Sequence, residues 1–399
     1  MKNQMNALSE EGRQAPPSLH VLTLTPFYPT NLDDAAGCFV YEPLPWLRKL
    51  GIENTVFAGQ PFYRGIFNSD AVPISARWIR YFAFPGGLGL PTAGAFLFAQ
   101  CVGRLRELHR RHPIDLIHAH SALPCGHAAM LLSKELGIPF VVSVHGLDAY
   151  STVQVRGRLG KWCRRISQHT YMASKRVICI SEHVREAVLE GVGLNARTSV
   201  VYNGVDPELF SPGTRHPSAD FIILSVGNLI AIKGHELLIR SVAALAPEFP
   251  AVMLEIVGNG PERERLEKLI EQLHCADRVR FLGRLSRGET AAAMQRCTVF
   301  ALPSRYEGLG CVYLEAMSAG KPVVGCRGQG IADIMQQGSN GFLVGPDNEK
   351  ELTLVLSMLL GDEQRRCNLG NAARATVLDN LTLEHQAERL ARIYRECLG

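Results

Sequence analysis

No stretch of this 399-residue chain approaches the roughly 18 consecutive apolar residues of a membrane-crossing helix. Its first residues, MKNQMNALSEEGRQAPPS, lack the apolar core of a secretory signal, so residues 1–18 read as a flexible polar tail. The expected location is cytoplasmic, at most held at the inner face of the cell membrane. No two of the eleven cysteines form a C-x-x-C pair and the count is odd, which argues against a disulfide framework or a zinc ribbon. They read as reduced thiols packed as small hydrophobes. An excess of one charge is lacking too. Lys and Arg number 42 against 38 Asp and Glu, and a net charge of +4 is too small for the footprint of a nucleic-acid partner.

What the sequence does contain is alternation. Short β-branched runs such as LHVLTLTPF (19–27), DLIHAH (115–120), FVVSVHG (140–146), RVICIS (176–181) and TSVVYNG (198–204) are separated by longer helical patterns. Near-continuous apolar strands in β-α-β order predict a parallel sheet covered on both faces. The Pro-rich, aperiodic segment 205–220 reads as a linker, after which FIILSVGNL restarts the same alternation. The expected fold is therefore α/β, with two Rossmann-like doubly wound domains over 19–208 and 209–380 facing each other across a cleft. A closing amphipathic helix over 381–399 is free to pack back on the first domain. Ligands of such sheets sit beyond the carboxyl ends of the strands, which points to the cleft.

The segment PSRYEGLGCVYLEAMSAGKPVV (303–324) is small and apolar, yet carries Glu307 and Glu315 with seven residues between them. TVFALPS before it reads as a strand that delivers Glu307 into a loop. A helix is expected to begin near Gly310 and stop at Gly320, with Pro322 beyond. Free N–H groups at that helix start favour an anion. Helical rise puts the two carboxylates on the order of 10 Å apart, too far to share a proton. The spacing suits two hydroxyl-bearing groups at either end of one ligand, with a phosphate between. The alternative is one surface glutamate and one in a salt bridge.

Those residues resemble the C-terminal-domain signature of glycosyltransferase family 4, the retaining GT-B enzymes. SVGNLIAIKGHELLIRSVAAL, VYNGVDPELFSP, IVGNGPERERLEKL and GQGIADIMQQGSNGFLVGPDN resemble further elements of the same family. The first half resembles it less closely, through YPTNLDDAAGCFVYEPLPWLRKLG, DLIHAH and VVSVHGLDAY. The resemblance implies a hexosyltransferase-type enzyme that moves a sugar from a nucleoside-diphosphate sugar to a hydroxyl acceptor, with retention. The N-terminal domain would hold the acceptor and the C-terminal domain the donor. Glu307 would bind the sugar hydroxyls near the reacting centre, and Glu315 the ribose. Gly308, Leu309, Gly310 and Cys311 would turn their amides to the diphosphate and sugar. Lys233 would neutralise the leaving diphosphate. Gly37 would let the chain pass close to phosphate or sugar, Gly258 belongs to the nucleotide side, and His145 would donate to a sugar hydroxyl. His118 and His120 are expected on the acceptor side. Asn228 stands where the family usually has arginine, which removes a bidentate diphosphate ligand; Arg284, Arg287, Arg305 and Arg327 are candidates to replace its charge.

No metal or other cofactor is expected. The D-x-D pair that would chelate Mg²⁺ on a donor diphosphate does not occur, and H-A-H at 118–120 has no obvious carboxylate or cysteine to complete a zinc site. GNGPER (258–263) lacks the third glycine of a dinucleotide fingerprint. The expected partners are a nucleotide sugar and a saccharide or lipid-linked saccharide for exopolysaccharide, capsule or lipopolysaccharide, with peripheral membrane contact and no nucleic acid. Residues 77–112 join aromatics to Arg77, Arg80, Arg104, Arg106, Arg110 and Arg111 at their ends. They read either as a core helix with a solvated basic end or as a patch for anionic lipid. Two other functions fit a GT-B chain: a nucleotide-sugar 2-epimerase or hydrolase that needs no acceptor, and a non-catalytic nucleotide-sugar-binding partner.

Overall fold

A computed structural model describes residues 19–29, 36–64, 76–85, 87–149, 155–192, 197–213 and 221–399. The tail 1–18 and part of the expected linker lie outside the described residues.

The first domain holds strands β1 (Leu19–Thr25), β2 (Ile52–Pro61), β3 (Ala76–Tyr81), β4 (Leu116–His120), β5 (Phe140–Val144), β6 (Arg176–Cys179) and β7 (Thr198–Val200). Its helices are α1 (Cys38–Tyr41), α2 (Leu44–Lys49), α3 (Leu90–Arg111), α4 (His127–Leu136), α5 (Gly157–Ala173) and α6 (Glu182–Val192). The second domain holds β8 (Phe221–Val226), β9 (Val252–Val257), β10 (Val279–Gly283), β11 (Val299–Ala301), β12 (Val323–Cys326) and β13 (Phe342–Val344). Around them lie α7 (His235–Leu245), α8 (Arg263–Gln272), α9 (Arg287–Arg296), α10 (Cys311–Ser318), α11 (Glu349–Gly361) and α12 (Glu363–Asn380), and the chain ends in α13 (Leu383–Leu398).

All described strand pairs are parallel. The orders are β3-β2-β1-β4-β5-β6-β7 and β10-β9-β8-β11-β12-β13. Both reverse direction at their centre, between β1 and β4 and between β8 and β11. That reversal opens a crevice at the carboxyl ends of the central strands. Strands β4, β5, β11 and β12 are buried along their whole length, as parallel strands covered on both faces must be. Strand β3 is absent from the sequence reading because polar Arg77 and Arg80 interrupt its apolar run. Pro43 and Pro45 divide residues 38–49 into two short helices, α1 and α2.

Two chain crossings join the domains side by side. The Val205 N–H donates to the Leu381 carbonyl at 3.0 Å, and the Leu383 N–H to the Val205 carbonyl at 3.1 Å. Beyond this crossing, α13 returns to the first domain. Its Ala387, Leu390, Ala391, Ile393 and Tyr394 bury against a cluster containing Val21, Leu44 and Leu47.

Candidate active site

The crevice of the second domain is built from the segments after β8 and β11. Leaving β8, the chain turns through Gly227 and Asn228, and the Ile230 N–H donates to the Asn228 carbonyl at 2.8 Å. A short 3₁₀ turn, Ala231–Lys233, then presents Lys233. Leaving β11, it delivers Glu307 opposite. Lys233 Nζ lies 2.5 Å from Glu307 Oε2, with both side chains largely shielded from solvent. The Glu307 N–H donates to Gln329 Oε1 at 2.9 Å, which fixes the loop.

Gly310 follows with φ of 79° and closes the loop into α10; a side chain there would be strained, and its Cβ would meet the Tyr313 ring. No side chain caps the helix start, so its first N–H groups have no side-chain acceptor. Leu309 is buried below them. Gly258 closes β9, its N–H donating to the Gly283 carbonyl at 2.7 Å, next to the Gly227–Asn228 turn. Asn228 itself is exposed.

Both glutamates of the E-x7-E segment are ion-paired, rather than one on the surface and one in a bridge. Glu315 is buried in α10 and takes the Arg287 guanidinium on Oε1. The other arm of Arg287 reaches Glu42 of the first domain at 2.6 Å. Ser286 and Glu289 form a capping box that starts α9 and holds Arg287 at its first position. A cation there opposes the helix dipole, so two carboxylates must hold it. Burial works against the Arg287 charge, but Glu315, Cys38 and Glu42 together keep its pKa above the ordinary value. Burial raises the Glu42 carboxyl while Arg287 pulls it back. Arg305 pairs with Asp347, and Arg327 grips Glu351 through two bonds of 2.7 Å. Of the four arginines weighed as substitutes at Asn228, only exposed Arg284 has no carboxylate partner among the described residues.

The first domain supplies the opposite wall. Gly37, φ 80°, precedes α1; a Cβ there would stand 2.6 Å from the Tyr28 amide nitrogen, so only glycine fits. His145, at the end of β5, stacks on His120, with His120 Nδ1 and His145 Nε2 3.0 Å apart. Its backbone N–H donates to Asp148 Oδ1 at 2.9 Å. Burial pushes the Asp148 carboxyl up to about 6 and the His145 ring down to about 3. Asp148 was not singled out from the sequence, where a lone aspartate after His-Gly-Leu carries no pattern.

His118 is covered over by α13. Tyr394 of α13 and Ser143 take its two ring nitrogens, each at 2.7 Å. Alternate residues of a strand share a face, so His118 and His120 point the same way, but α13 roofs the inner one. His127 packs against Gly94 of α3, away from the other histidines. No group of three or more His, Cys, Asp or Glu among the described residues is arranged to hold a metal ion.

The domains meet at this site. Ser181 Oγ donates to the Gly308 carbonyl at 2.5 Å, Asn203 Nδ2 to Cys311 Sγ at 3.3 Å, and the Glu182 N–H to Asp333 Oδ2 at 2.6 Å. Burial first, then Glu315, pushes the Cys311 thiol up to about 12, so it stays protonated. Chemically, the arrangement is one shielded Lys–Glu pair, one helix start bare of side-chain caps and a wall of neutral imidazoles, around the carboxyl ends of two sheets. It can hold an anion next to a polyhydroxylated group.

Known proteins bear on this directly. Residues 207–376 match the family described as glycosyl transferases group 1, and residues 37–209 match glycosyltransferase family 4. Among curated relatives, a D-inositol 3-phosphate glycosyltransferase of Corynebacterium urealyticum is 30% identical over 93% of this chain and 93% of its own. A GDP-mannose-dependent phosphatidylinositol monomannoside mannosyltransferase of Mycolicibacterium smegmatis is 28% identical over 86% of this chain and 90% of its own. Among solved structures, Anabaena HepE in complex with UDP-glucose superposes with a TM-score of 0.73 at 22% identity, covering 95% of this chain and 100% of that one.

Proposed function

Because the chain belongs to the group 1 glycosyltransferases of family 4, we propose that it moves a hexose from a nucleoside-diphosphate sugar to a hydroxyl of a lipid-linked saccharide, with retention and without a metal. The product would serve polysaccharide or lipopolysaccharide biosynthesis. Lys233, held against Glu307 beside the uncapped start of α10, is the observation that carries this reading. A fixed cation and free backbone N–H groups together stabilise charge that grows on a departing diphosphate.

In the proposed reaction the bond between the anomeric carbon and the diphosphate oxygen breaks. The acceptor oxygen bonds to that carbon on the same face. The acceptor proton passes to the departing diphosphate, so no protein nucleophile is needed. Lys233 and the amides of Gly308, Leu309, Gly310 and Cys311 hold the developing charge, with Gly37 and Gly258 lining the approach. Asn228 contributes one amide where a bidentate cation would bind more tightly. Glu307 and His145 orient the sugar, while Glu315 reaches the ribose with the oxygen that Arg287 leaves. His120 lines the acceptor side, and His118 supports it from beneath α13. The Mycolicibacterium smegmatis relative is a GDP-mannose-dependent phosphatidylinositol monomannoside mannosyltransferase, which supports a nucleotide-sugar donor and a lipid-borne acceptor here.

The test is thermal unfolding in the presence of UDP, GDP, ADP and their sugars, with and without EDTA, followed by a transfer assay. A nucleotide sugar present at 100 times its Kd should stabilise the fold by about 2.7 kcal/mol. Absence of any nucleotide response, or a response that EDTA abolishes, overturns the reading. Conversion of the donor without acceptor would show an epimerase or hydrolase instead.

A further inference from the structure

The outer face of α5 is basic and carries no acid. Its sequence GRLGKWCRRISQHTYMA has four cations and neither Asp nor Glu. Arg158, Lys161, Trp162 and Arg165 are all exposed, at spacings of three and four that place them on one stripe. None of the three cations among them has a carboxylate partner among the described residues. The opposite face buries Cys163 with Leu123 and Val155, and Leu159 and Ile166 pack against the same cluster. Leu90, the first residue of α3, packs there as well, so the N-terminal halves of α3 and α5 lie side by side.

Around the start of α3 stands an aromatic cluster. Phe62 and Tyr63 follow β2, Phe82 and Phe84 follow β3, and Phe96 comes from the first turns of α3. All are exposed, Phe84 by 56%. Phe82 touches both Phe84 and Phe96, with ring centroids 5.0 and 5.4 Å apart. The Arg80 guanidinium lies over the Phe62 ring, 4.9 Å from its centroid. So many exposed rings gathered together are costly as a free surface. Helices that follow parallel strands begin at the carboxyl edge of the sheet. The aromatic cluster and the basic stripe therefore lie on the edge that opens into the cleft.

Interfacial protein surfaces have this composition: aromatic side chains that enter the head-group boundary, flanked by cations that meet lipid phosphates. We propose that the α5 stripe and the aromatic cluster of β2, β3 and α3 dock on an anionic phospholipid bilayer. The proposal rests on the reading of a lipid-linked acceptor above and gives it a geometry: the protein sits on the surface from which its acceptor rises. The sequence placed only part of this patch. It assigned cations at both ends of residues 77–112: Arg80 does sit over the Phe62 ring, whereas Arg104, Arg106, Arg110 and Arg111 lie in the second half of the 22-residue helix α3, beyond the aromatics. Arg106, Arg110 and Arg111 also pair with Glu135 or Glu107. Arg80 apart, the further cations of the patch come from α5, more than 40 residues later.

Co-sedimentation of the full chain with vesicles of equal phosphatidylglycerol and phosphatidylcholine tests this, against vesicles of phosphatidylcholine alone. Binding to the anionic vesicles is expected, weakened by 1 M salt. Arg158→Glu/Lys161→Glu/Arg165→Glu should lower the partition coefficient on the order of 100-fold, since each cation near the surface contributes about 1 kcal/mol. Trp162→Ala/Phe84→Ser should lower it several-fold, while Arg104→Glu/Arg110→Glu, at the far end of α3, should leave it unchanged. Thermal stabilisation by UDP-glucose reports folding and the donor site in every variant. No binding of wild type to the anionic vesicles, or equal binding of all variants, overturns the surface proposal even when the nucleotide response is intact. Dimerisation abolished by the α5 reversals, without vesicle binding, also overturns it by giving the face to a second copy. Vesicle binding without any nucleotide-sugar response upholds the surface and overturns the proposed donor chemistry.

Discussion

Lys233 and Glu307 stand 2.5 Å apart, and neither is replaceable by a neutral residue without leaving its partner's charge shielded and unpaired. Lys233→Ala should lower kcat for sugar transfer on the order of 100- to 1,000-fold, the usual scale for losing one fixed group that stabilises a developing oxyanion. Lys233→Arg keeps the charge and should recover part of it. Equal kcat in Lys233→Ala and wild type would show that the leaving group is stabilised elsewhere. Glu307 and Glu315 stood out in the sequence through the fixed local spacing of one strand–loop–helix, and Lys233 through its resemblance to a family motif. Asp148 was not, since only the turn after β5 brings its carboxylate under the His145 amide.

At the scale of elements, α13 matters because of where one side chain lands. Tyr394 is buried and bonds to His118. Tyr394→Phe should destabilise by about 1 kcal/mol, as for a single neutral hydrogen bond, and the melting temperature should fall by a few degrees. His118 also sets a pH dependence. Desolvation first, then the nearby His145, pushes it down to about 3, against about 6.5 for a free histidine. The unfolded chain therefore binds a proton that the folded chain refuses. The stability of this neutral burial is complete above pH 6.5 and is lost progressively as pH falls from 6.5 toward 3. At pH 5 the loss from His118 alone is roughly 2 kcal/mol. Denaturant titrations at pH 7.5 and 5 measure it, and a His118→Asn variant should show a shallower acid limb. An unchanged slope in that variant would mean His118 is not the group responsible.

Across the whole molecule, Arg287 ties the domains together. It spans Glu42 of one and Glu315 of the other in a largely buried triad. Arg287→Met removes the cation and leaves two buried carboxylates facing each other. The expected cost is about 3–5 kcal/mol, together with a larger radius of gyration in solution scattering as the crevice opens. Restoration by the added change Glu42→Gln should be partial, because one uncompensated carboxylate remains. A variant as compact and stable as wild type would show that closure does not depend on this contact.

The β-α alternation, parallel pairing and the E-x7-E loop followed from the sequence alone, because hydrophobic period and Gly/Pro punctuation act over a few residues. The contacts between distant parts of the chain did not. Glu42 and Arg287 are separated by 245 positions, and His118 and Tyr394 by 276. Nothing in local pattern couples residues so far apart. The packing of α5 on Leu90 at the start of α3 is of the same kind. Those contacts exist because the return of α13 and the closure of the two domains exclude water around groups that must then find partners within the protein.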